Sequence, residues 1–172
     1  GTIPIEAALI AKNRAPGLDR SFDAQRWAFL PAKVWMDAAD EAMDKEFHGH
    51  YDIWGGDIDP RAVAIARDNA RKAGVEDMIR FEVADMRDFR RDSTYGQLVT
   101  NPPYGERLLE KKEAEELYRA FGAALRDLPP KWRVLVLSSH TEFERCFGRS
   151  ADKKRKLYNG MIKCDLFMYG NV

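Results

Sequence analysis

The hydrophobic and polar positions follow two different periods along the chain, and the period separates helices from strands. Helices are expected where apolar residues recur every three or four positions: residues 2–10, 32–47, 60–73, 114–128 and 141–147. Strands are expected where short apolar runs lie between turn residues: 51–56, 79–83, 97–100 and 133–137. Because helix and strand alternate from residue 51 onward, the pattern predicts an α/β fold with a mostly parallel, doubly wound sheet.

The end of the chain has a different pattern. Residues 153–169 read as two strands joined at Asn159-Gly160, the pair of residues most typical of a type I′ hairpin turn. The hairpin makes the expected sheet mixed. At the other end, Thr2 is a candidate cap for the first helix, whereas Asp59 and Pro60 are expected to begin the helix that Gly74 ends.

Composition adds modest bounds to this picture. A chain of 172 residues with 45% hydrophobic content fits one domain, 1–172, with a core of its own. Lys plus Arg and Asp plus Glu both number 28, so any nucleic-acid site must be a local patch. Cys146 and Cys164 are far apart and read as free thiols. Since no apolar run is long enough to span a membrane, no membrane partner and a cytoplasmic location are expected.

The first candidate site is the segment Asn101–Tyr104, which directly follows a predicted strand. Two consecutive prolines cannot donate to a strand ladder, so the strand must end there in a stiff loop. The amide oxygen of Asn101 and nearby main-chain carbonyls supply acceptors, and Tyr104 supplies an aromatic face. Acceptors beside an aromatic ring suit a planar substrate that bears an NH2 group, such as a nucleobase. On the tetrapeptide alone, a rigid turn with a packed tyrosine is an equally good interpretation.

Two carboxylates strengthen the first interpretation. Asp57, Asp85 and Asn101 each lie at or just past the carboxyl end of three successive predicted strands. In an open α/β sheet this edge binds ligands. A carboxylate after the first of these strands suits ribose hydroxyls, and one after the next strand could accept from an adenine amino group. Taken singly, each aspartate is more often a helix cap or a solvated loop residue.

Several longer motifs resemble a known family. Gly1–Ala8, Gly55–Pro60, Ala84–Phe89, Asn101–Leu108 and Tyr158–Cys164 are similar, in this order, to the methyltransferase domain of the bacterial 23S rRNA guanine-N2 methyltransferase L group. Many members of that group carry the older label of N6-adenine-specific DNA methylase. The resemblance covers essentially the whole chain. It implies a Rossmann-like class I fold that depends on S-adenosyl-L-methionine.

The resemblance also implies roles for individual residues. Asp57 would bind the ribose hydroxyls of the cofactor and Ile58 would pack on its adenine ring, while Asp85 and the Met86 amide would read the adenine edge. The other assignments concern the target base, the RNA strand and the start of the chain. The base-holding and catalytic residues would be Asn101, Pro102, Pro103 and Tyr104, with Gly1, Thr2 and Asn101 also at the cofactor. As further substrate contacts, Arg107 could position the target strand or form an ion pair within its loop, and Asn159 could contact the base or simply form the hairpin turn.

The start of the chain departs from the family pattern. In the family a strand and a glycine-rich loop precede the segment that begins at Thr2, and Gly1 corresponds to the last glycine of that loop. The first strand and the glycine loop are therefore expected to be absent from this chain, which would make it an N-terminally incomplete domain. The family also has an upstream THUMP-type RNA-binding region, which is expected in the full-length protein.

Other polar clusters are weaker candidates. Lys153–Lys156 could meet RNA phosphates, or it could be a charged strand edge that prevents aggregation. His48, His50 and His140 have no partners at metal-ligand spacing, so no metal is expected.

The expected function is transfer of a methyl group to an exocyclic amino nitrogen of a nucleobase, most simply guanine N2 in 23S ribosomal RNA. The same loop could present adenine N6 of DNA, which is less favoured, or the side-chain nitrogen of a glutamine. A non-enzymatic alternative is an RNA-binding domain without a cofactor.

Overall fold

The computed structural model describes residues 1–105 and 111–170. The helices are α1 (Thr2–Ala11), α2 (Ala32–Asp44), α3 (Pro60–Lys72), α4 (Lys111–Ala124) and α5 (Phe143–Phe147). The strands are β1 (Ile53–Asp57), β2 (Ile79–Val83), β3 (Tyr95–Thr100), β4 (Lys131–Ser138), β5 (Lys153–Asn159) and β6 (Ile162–Tyr169). Short 3-10 turns lie at Asp23–Arg26, Glu76–Met78 and Met86–Asp88. Each helix and strand predicted from the sequence is therefore present, with bounds that differ by a few residues.

The strands pair in two hydrogen-bonded groups. In the first group β1 runs parallel to β2, with Ile53 opposite Ile79. The second group has the order β3-β4-β6-β5, in which β3 and β4 are parallel and the pairs of β6 with β4 and β5 are antiparallel. The predicted mixed α/β class, with parallel strands first and an antiparallel hairpin last, is confirmed.

The chain folds into two compact units, and the first is Gly1–Val83. Its core lies where α1 and α3 pack on β1 and β2, and small side chains let these elements approach closely. The buried residues of this core are Ile5, Ala8, Val63, Ala66, Ala70, Val75, Ile79 and Phe81. Asp59 caps α3 by accepting a hydrogen bond from the Arg61 main-chain nitrogen at 2.9 Å, with Pro60 in the first turn, as predicted. The predicted cap of α1 was wrong, because Gly1 and not Thr2 holds the N-cap position.

Helix α2 has the apolar stripe that the sequence predicts, but none of its residues is fully buried. Val34 is 50% exposed and Met36 is 65% exposed. Trp35 stacks on Phe22, with their ring centroids 6.1 Å apart. The hydrophobic period therefore identified the helix correctly, although the apolar stripe of α2 is not buried in this chain.

The second unit is Ala84–Val172, and its core lies between one face of the β3-β4-β6-β5 group and the helices α4 and α5. Tyr118, Phe121 and Phe143 are almost completely buried there. Along β4, Val134, Val136 and Ser138 are buried, while the alternate positions are only partly buried. One face of β4 is therefore buried against the aromatic core of α4 and α5, whereas the other face is only partly buried.

The hairpin of β5 and β6 is present, but its turn lies one residue later than predicted. Asn159 is the last residue of β5 and pairs with Ile162, so the two-residue loop is Gly160-Met161. Gly160 has a φ of 61°, and Asn13 is the only non-glycine residue with positive φ in the described ranges. A type I′ turn needs positive φ at both loop positions, so the pattern of one positive value is that of a type II′ turn.

Within the described parts of the chain, no helix is long and apolar enough to cross a membrane.

Candidate nucleobase and cofactor sites

The loop Asn101–Tyr104 follows β3 directly, as predicted. The Asn101 side chain is exposed, whereas Pro102 is buried and Tyr104 is half-buried. The Tyr104 hydroxyl donates a hydrogen bond to Asn101 Oδ1, with the oxygens 2.5 Å apart. An amide oxygen has two lone pairs, so Asn101 Oδ1 can accept a second hydrogen bond in this arrangement.

Two residues of the hairpin also reach Tyr104. Asn159 Nδ2 donates to the Tyr104 hydroxyl at 3.4 Å, and Cys164 Sγ lies 3.7 Å from the same oxygen. Burial is the largest cause that raises the pKa of Tyr104, to about 12. The phenol therefore stays protonated at neutral pH and remains a donor to Asn101. The structure thus brings together three residues that the sequence assigned to the substrate, Asn101, Tyr104 and Asn159.

The buried Tyr118 forms a hydrogen bond to the main chain of the Asn101–Tyr104 loop. The Tyr118 hydroxyl, on α4, donates to the Pro103 main-chain oxygen at 2.5 Å and lies 3.4 Å from Ser138 Oγ on β4. The Tyr118 ring packs edge-on against Phe143, with centroids 4.9 Å apart. The sequence analysis treated Tyr118 only as an apolar core residue. A signal was available, because a buried tyrosine hydroxyl usually needs a hydrogen-bond partner.

His140 lies next to Tyr118 and is 7% exposed. Its Nδ1 accepts from the Glu142 main-chain nitrogen at 3.2 Å, and Nε2 lies 3.7 Å from Glu115 Oε1. Burial lowers the pKa of His140, which favours the neutral ring with its proton on Nε2. Among the residues that the structure describes, no three His, Cys, Asp or Glu side chains form a group that could hold a metal.

In the first unit, Asp57 is the exposed last residue of β1. Its Oδ1 accepts a hydrogen bond from the Asp59 main-chain nitrogen at 2.9 Å, which fixes the carboxylate in a tight turn. The Ile58 side chain beside it is 63% exposed. A carboxylate held at a strand end next to an exposed aliphatic side chain fits the ribose and the adenine ring of a nucleoside.

Gly1 lies against α3 in the same unit. A Cβ at Gly1 would come within 2.5 Å of the Ala66 Cβ, so a larger residue requires a shift of the helix. Thr2 is the exposed first residue of α1. Gly1 therefore packs closely against α3, whereas the Thr2 beside it is accessible to solvent.

Asp85 and Met86 lie just past β2, near the start of the second unit. Asp85 caps the Met86–Asp88 turn by accepting from the Arg87 main-chain nitrogen at 2.9 Å. The Arg87 guanidinium also binds both carboxylate oxygens, and this hydrogen bonding is the largest cause that lowers the pKa of Asp85. The carboxylate is therefore charged, and an adenine amino group would share it with Arg87. The Met86 side chain packs against the core of this unit.

Arg107, which was assigned to the substrate, lies outside the described residues, as do the other positions of 106–110.

A family model described as "RMKL-like, methyltransferase domain" matches residues 1–167, almost the entire chain. The chain belongs to this family. The resemblance that the sequence motifs indicated is thereby confirmed.

The chain is also similar to individual methyltransferases, both in sequence and in solved structures. The chain is 44% identical to "Putative RNA methyltransferase YpsC" of Bacillus subtilis (strain 168), over 98% of the chain and 44% of the relative. It is 38% identical to "Ribosomal RNA large subunit methyltransferase K/L" of Shewanella baltica (strain OS185), over 98% of the chain and 24% of the relative.

Among solved structures, "SMU.472, a putative methyltransferase complexed with SAH" superposes with a TM-score of 0.95 at 42% identity. The match covers 100% of this chain and 46% of that one. The chain thus spans less than half the length of each of these three proteins. It has the mixed α/β fold of a methyltransferase domain.

Proposed function

We propose that this RMKL-like chain is the catalytic domain of an enzyme that methylates an exocyclic amino nitrogen of a nucleobase in RNA, with guanine N2 of 23S ribosomal RNA as the target. The observation that carries the proposal is the fixed amide oxygen of Asn101 at the end of β3, held at 2.5 Å by Tyr104. The names of the relatives YpsC and methyltransferase K/L support RNA as the substrate class.

The chemistry begins with the weakness of the target atom. The lone pair of a purine amino nitrogen is delocalised into the ring, so the free nitrogen is a poor nucleophile. Asn101 Oδ1 and the Pro102 carbonyl oxygen accept hydrogen bonds from the two N–H groups and thereby orient the lone pair of the nitrogen out of the ring plane. Asn101 can do this without releasing Tyr104, because its oxygen has two lone pairs.

Tyr104 has two roles in this proposal. Its hydroxyl holds Asn101, and its ring stacks on a base that has left its helix or loop, an extraction that costs about a few kcal/mol. The hydrogen bond from Tyr118 to the Pro103 carbonyl keeps the loop in place while the base enters. When the neutral amino nitrogen gains the methyl group it becomes a cationic ammonium, which is acidic and loses a proton to water, so no strong general base is required.

The cofactor in the proposal is S-adenosyl-L-methionine, which supplies an activated methyl group when bound. The residues fit it: Asp57 offers a free carboxylate oxygen to the ribose hydroxyls, and Ile58 offers an exposed aliphatic surface to the adenine. Asp85 and the Met86 amide read the adenine edge, and Gly1 and Thr2 contact the methionine end at the start of α1. Arg107 contacts the RNA strand. A THUMP-type region elsewhere in the full protein is part of the same proposal.

The class of substrate is tested with the entire product of the gene and a cofactor labelled in its methyl group. Wild-type enzyme is incubated separately with 23S ribosomal RNA, with duplex DNA and with bacterial protein extract. We expect label in the RNA. Label in DNA would instead identify an adenine methyltransferase, and label in protein a glutamine methyltransferase.

A second measurement separates enzyme from binding module. Calorimetry with S-adenosylhomocysteine is expected to give one site per chain. Binding to RNA without any binding of S-adenosylhomocysteine would contradict the proposal and favour an RNA-binding domain that uses no cofactor.

A further inference from the structure

The tip of the β5–β6 hairpin, which we define as residues 158–161, exposes two large side chains. Met161 is 98% exposed and Tyr158 is 71% exposed, although they lie within three positions of each other. Asn159 and Gly160 stand between them, and β5 is the outer strand of its group. A single exposed apolar residue needs no explanation, whereas a thioether and a phenol exposed together at one turn offer an apolar surface that a ligand can cover.

The hairpin behind this tip is strongly cationic. Between Lys153 and Tyr169 there are five Lys or Arg residues and one acidic residue, Asp165, in a chain whose formal net charge is zero. Lys154 is neutralised by Glu144 at 2.7 Å, and Lys156 stands opposite Asp165 in the register. The three remaining cations make no ion pair with any described residue: Lys153, Arg155 and Lys163.

The three cations without an ion pair lie on both faces of the hairpin behind the tip. Lys163 is directly opposite Tyr158 and shares its face. Lys153 and Arg155 project from the other face of β5, together with Asn159, because alternate residues of a strand share a face. A single strand that passes over the tip can bring its phosphates to cations on either face while its bases meet the apolar side chains.

The tip also adjoins the loop that holds the target base. Asn159 Nδ2 lies 3.4 Å from the Tyr104 hydroxyl, and Cys164, which pairs with Leu157 behind the tip, lies 3.7 Å from the same oxygen. A nucleotide whose base reaches Asn101 and Tyr104 therefore has neighbours in the strand that pass the tip.

We propose that the β5–β6 tip binds the single-stranded RNA that flanks the target nucleotide. Met161 and Tyr158 pack against the bases left unstacked when the target leaves, and Lys153, Arg155 and Lys163 contact the adjoining phosphates. The inference rests on the proposed function, because it takes RNA as the substrate. It adds a surface that grips the strand outside the base-holding loop.

The charge contribution is tested with the triple variant Lys153→Gln, Arg155→Gln, Lys163→Gln, bound to a 23S ribosomal RNA transcript over a range of salt. Each lost phosphate contact lowers the salt slope of log Kd by about 0.7 for a single strand, so we expect a slope reduced by about 2. The control neutralises three exposed lysines outside the hairpin, Lys72, Lys112 and Lys131, and should keep the wild-type slope.

The apolar contribution is tested with Met161→Ala and Tyr158→Ala together. Loss of base stacking weakens binding by about 5- to 50-fold, with the salt slope unchanged. Met36→Ala, at an equally apolar side chain that is 65% exposed on α2, is the matched control and should bind like wild type.

The outcomes separate the two proposals. Hairpin variants that bind RNA with wild-type affinity and slope, while the wild-type enzyme methylates that RNA, would overturn the hairpin inference and leave the proposed function standing. A wild-type enzyme that methylates DNA or protein and does not bind the transcript would overturn both.

Discussion

The loop at Asn101 and the turn at Asp57 are both polar sites at the ends of parallel strands, yet they are held in different ways. Asp57 is fixed by a main-chain nitrogen two residues away. Asn101 is fixed by Tyr104, which is in turn bound by Asn159, 55 positions further along the chain. A site held by its own turn depends on local sequence, whereas a site held by a network depends on the whole unit folding correctly.

This contrast matches the proposed chemistry. A ribose needs a carboxylate and an accessible surface, and a strand–helix junction supplies both. Orienting the lone pair of an amino nitrogen requires an acceptor fixed to within a fraction of an ångström, which side chains locked by packing provide. Changes at the two sites should therefore affect different kinetic constants.

The largest effect is expected for Asn101→Ala. The variant loses the acceptor that orients the amino nitrogen, so kcat should fall about 100-fold or more, while the Kd for S-adenosylhomocysteine stays within about threefold of wild type. Steady-state kinetics and calorimetry check the two values. Asn69→Ala, at an exposed position on α3, is the control and should change neither. Wild-type kcat in the Asn101 variant would remove the central role of the loop.

A smaller effect, on cofactor affinity rather than on kcat, is expected for Asp57→Ala. Loss of hydrogen bonds to a charged acceptor should raise the Kd for S-adenosylhomocysteine about 10- to 100-fold, with kcat at saturating cofactor within about threefold of wild type. Asp68→Ala, at another exposed carboxylate of the same unit, should leave the Kd unchanged. An unchanged Kd in the Asp57 variant would show that the cofactor does not use this carboxylate.

Tyr118→Phe tests whether the hydrogen bond from Tyr118 to the Pro103 main-chain oxygen contributes to catalysis. The change keeps the ring and removes the hydrogen bond to Pro103, so we expect kcat to fall about 5- to 20-fold with little change in cofactor affinity. The free energy of unfolding should fall by about 1 kcal/mol.

Tyr169→Phe is the matched control for this prediction. Its hydroxyl donates to the Arg149 main-chain oxygen at 3.3 Å in the same core, away from the loop. It should lose similar stability with unchanged kcat. Equal losses of kcat in both variants would reduce the Tyr118 effect to general destabilisation.

The smallest effect concerns pH. Because the pKa of Tyr104 is raised to about 12, its phenol is protonated in the folded enzyme throughout the working range. Tyr104→Phe should therefore lower kcat by the same factor at each pH from 6 to 9. A factor that changes across this range would show that Tyr104 ionises during turnover.

The raised pKa of Tyr104 also determines how the free energy of unfolding changes with pH. An unfolded tyrosine releases its proton near pH 10, so the folded form binds more protons between about pH 10 and 12. The stabilising contribution of Tyr104 is present below pH 10 and is lost as the pH rises through 12. The free energies of unfolding of the wild type and of Tyr104→Phe, measured with urea, should therefore converge only above pH 10.

Local features of the fold followed from the sequence. Asp59-Pro60 marked the start of α3, and β2 was predicted at Ile79–Val83, the bounds that the structure shows. These signals depend on neighbouring residues only. The turn of the hairpin was misplaced by one residue, because the pairing of Asn159 with Ile162 is fixed by the register of the whole hairpin rather than by the Asn-Gly pair.

The candidate nucleobase site could be predicted only where it depends on neighbouring residues. The motif at Asn101–Tyr104 is contiguous, so its acceptors and its aromatic ring were visible in the sequence. The contributions of Tyr118 and Cys164 arise only when distant elements pack together. The exposure of the α2 stripe was also unpredictable, since amphipathic spacing defines an apolar face but not the surface that covers it.

The most direct test of the account identifies the methylated nucleoside. Ribosomal RNA treated with the wild-type gene product and with Asn101→Ala is digested to nucleosides and analysed by mass spectrometry. The account predicts N2-methylguanosine from the wild-type enzyme and almost none from the variant, although both bind S-adenosylhomocysteine equally. Equal amounts of N2-methylguanosine from both proteins, or a methyl group on a ring carbon, would contradict it.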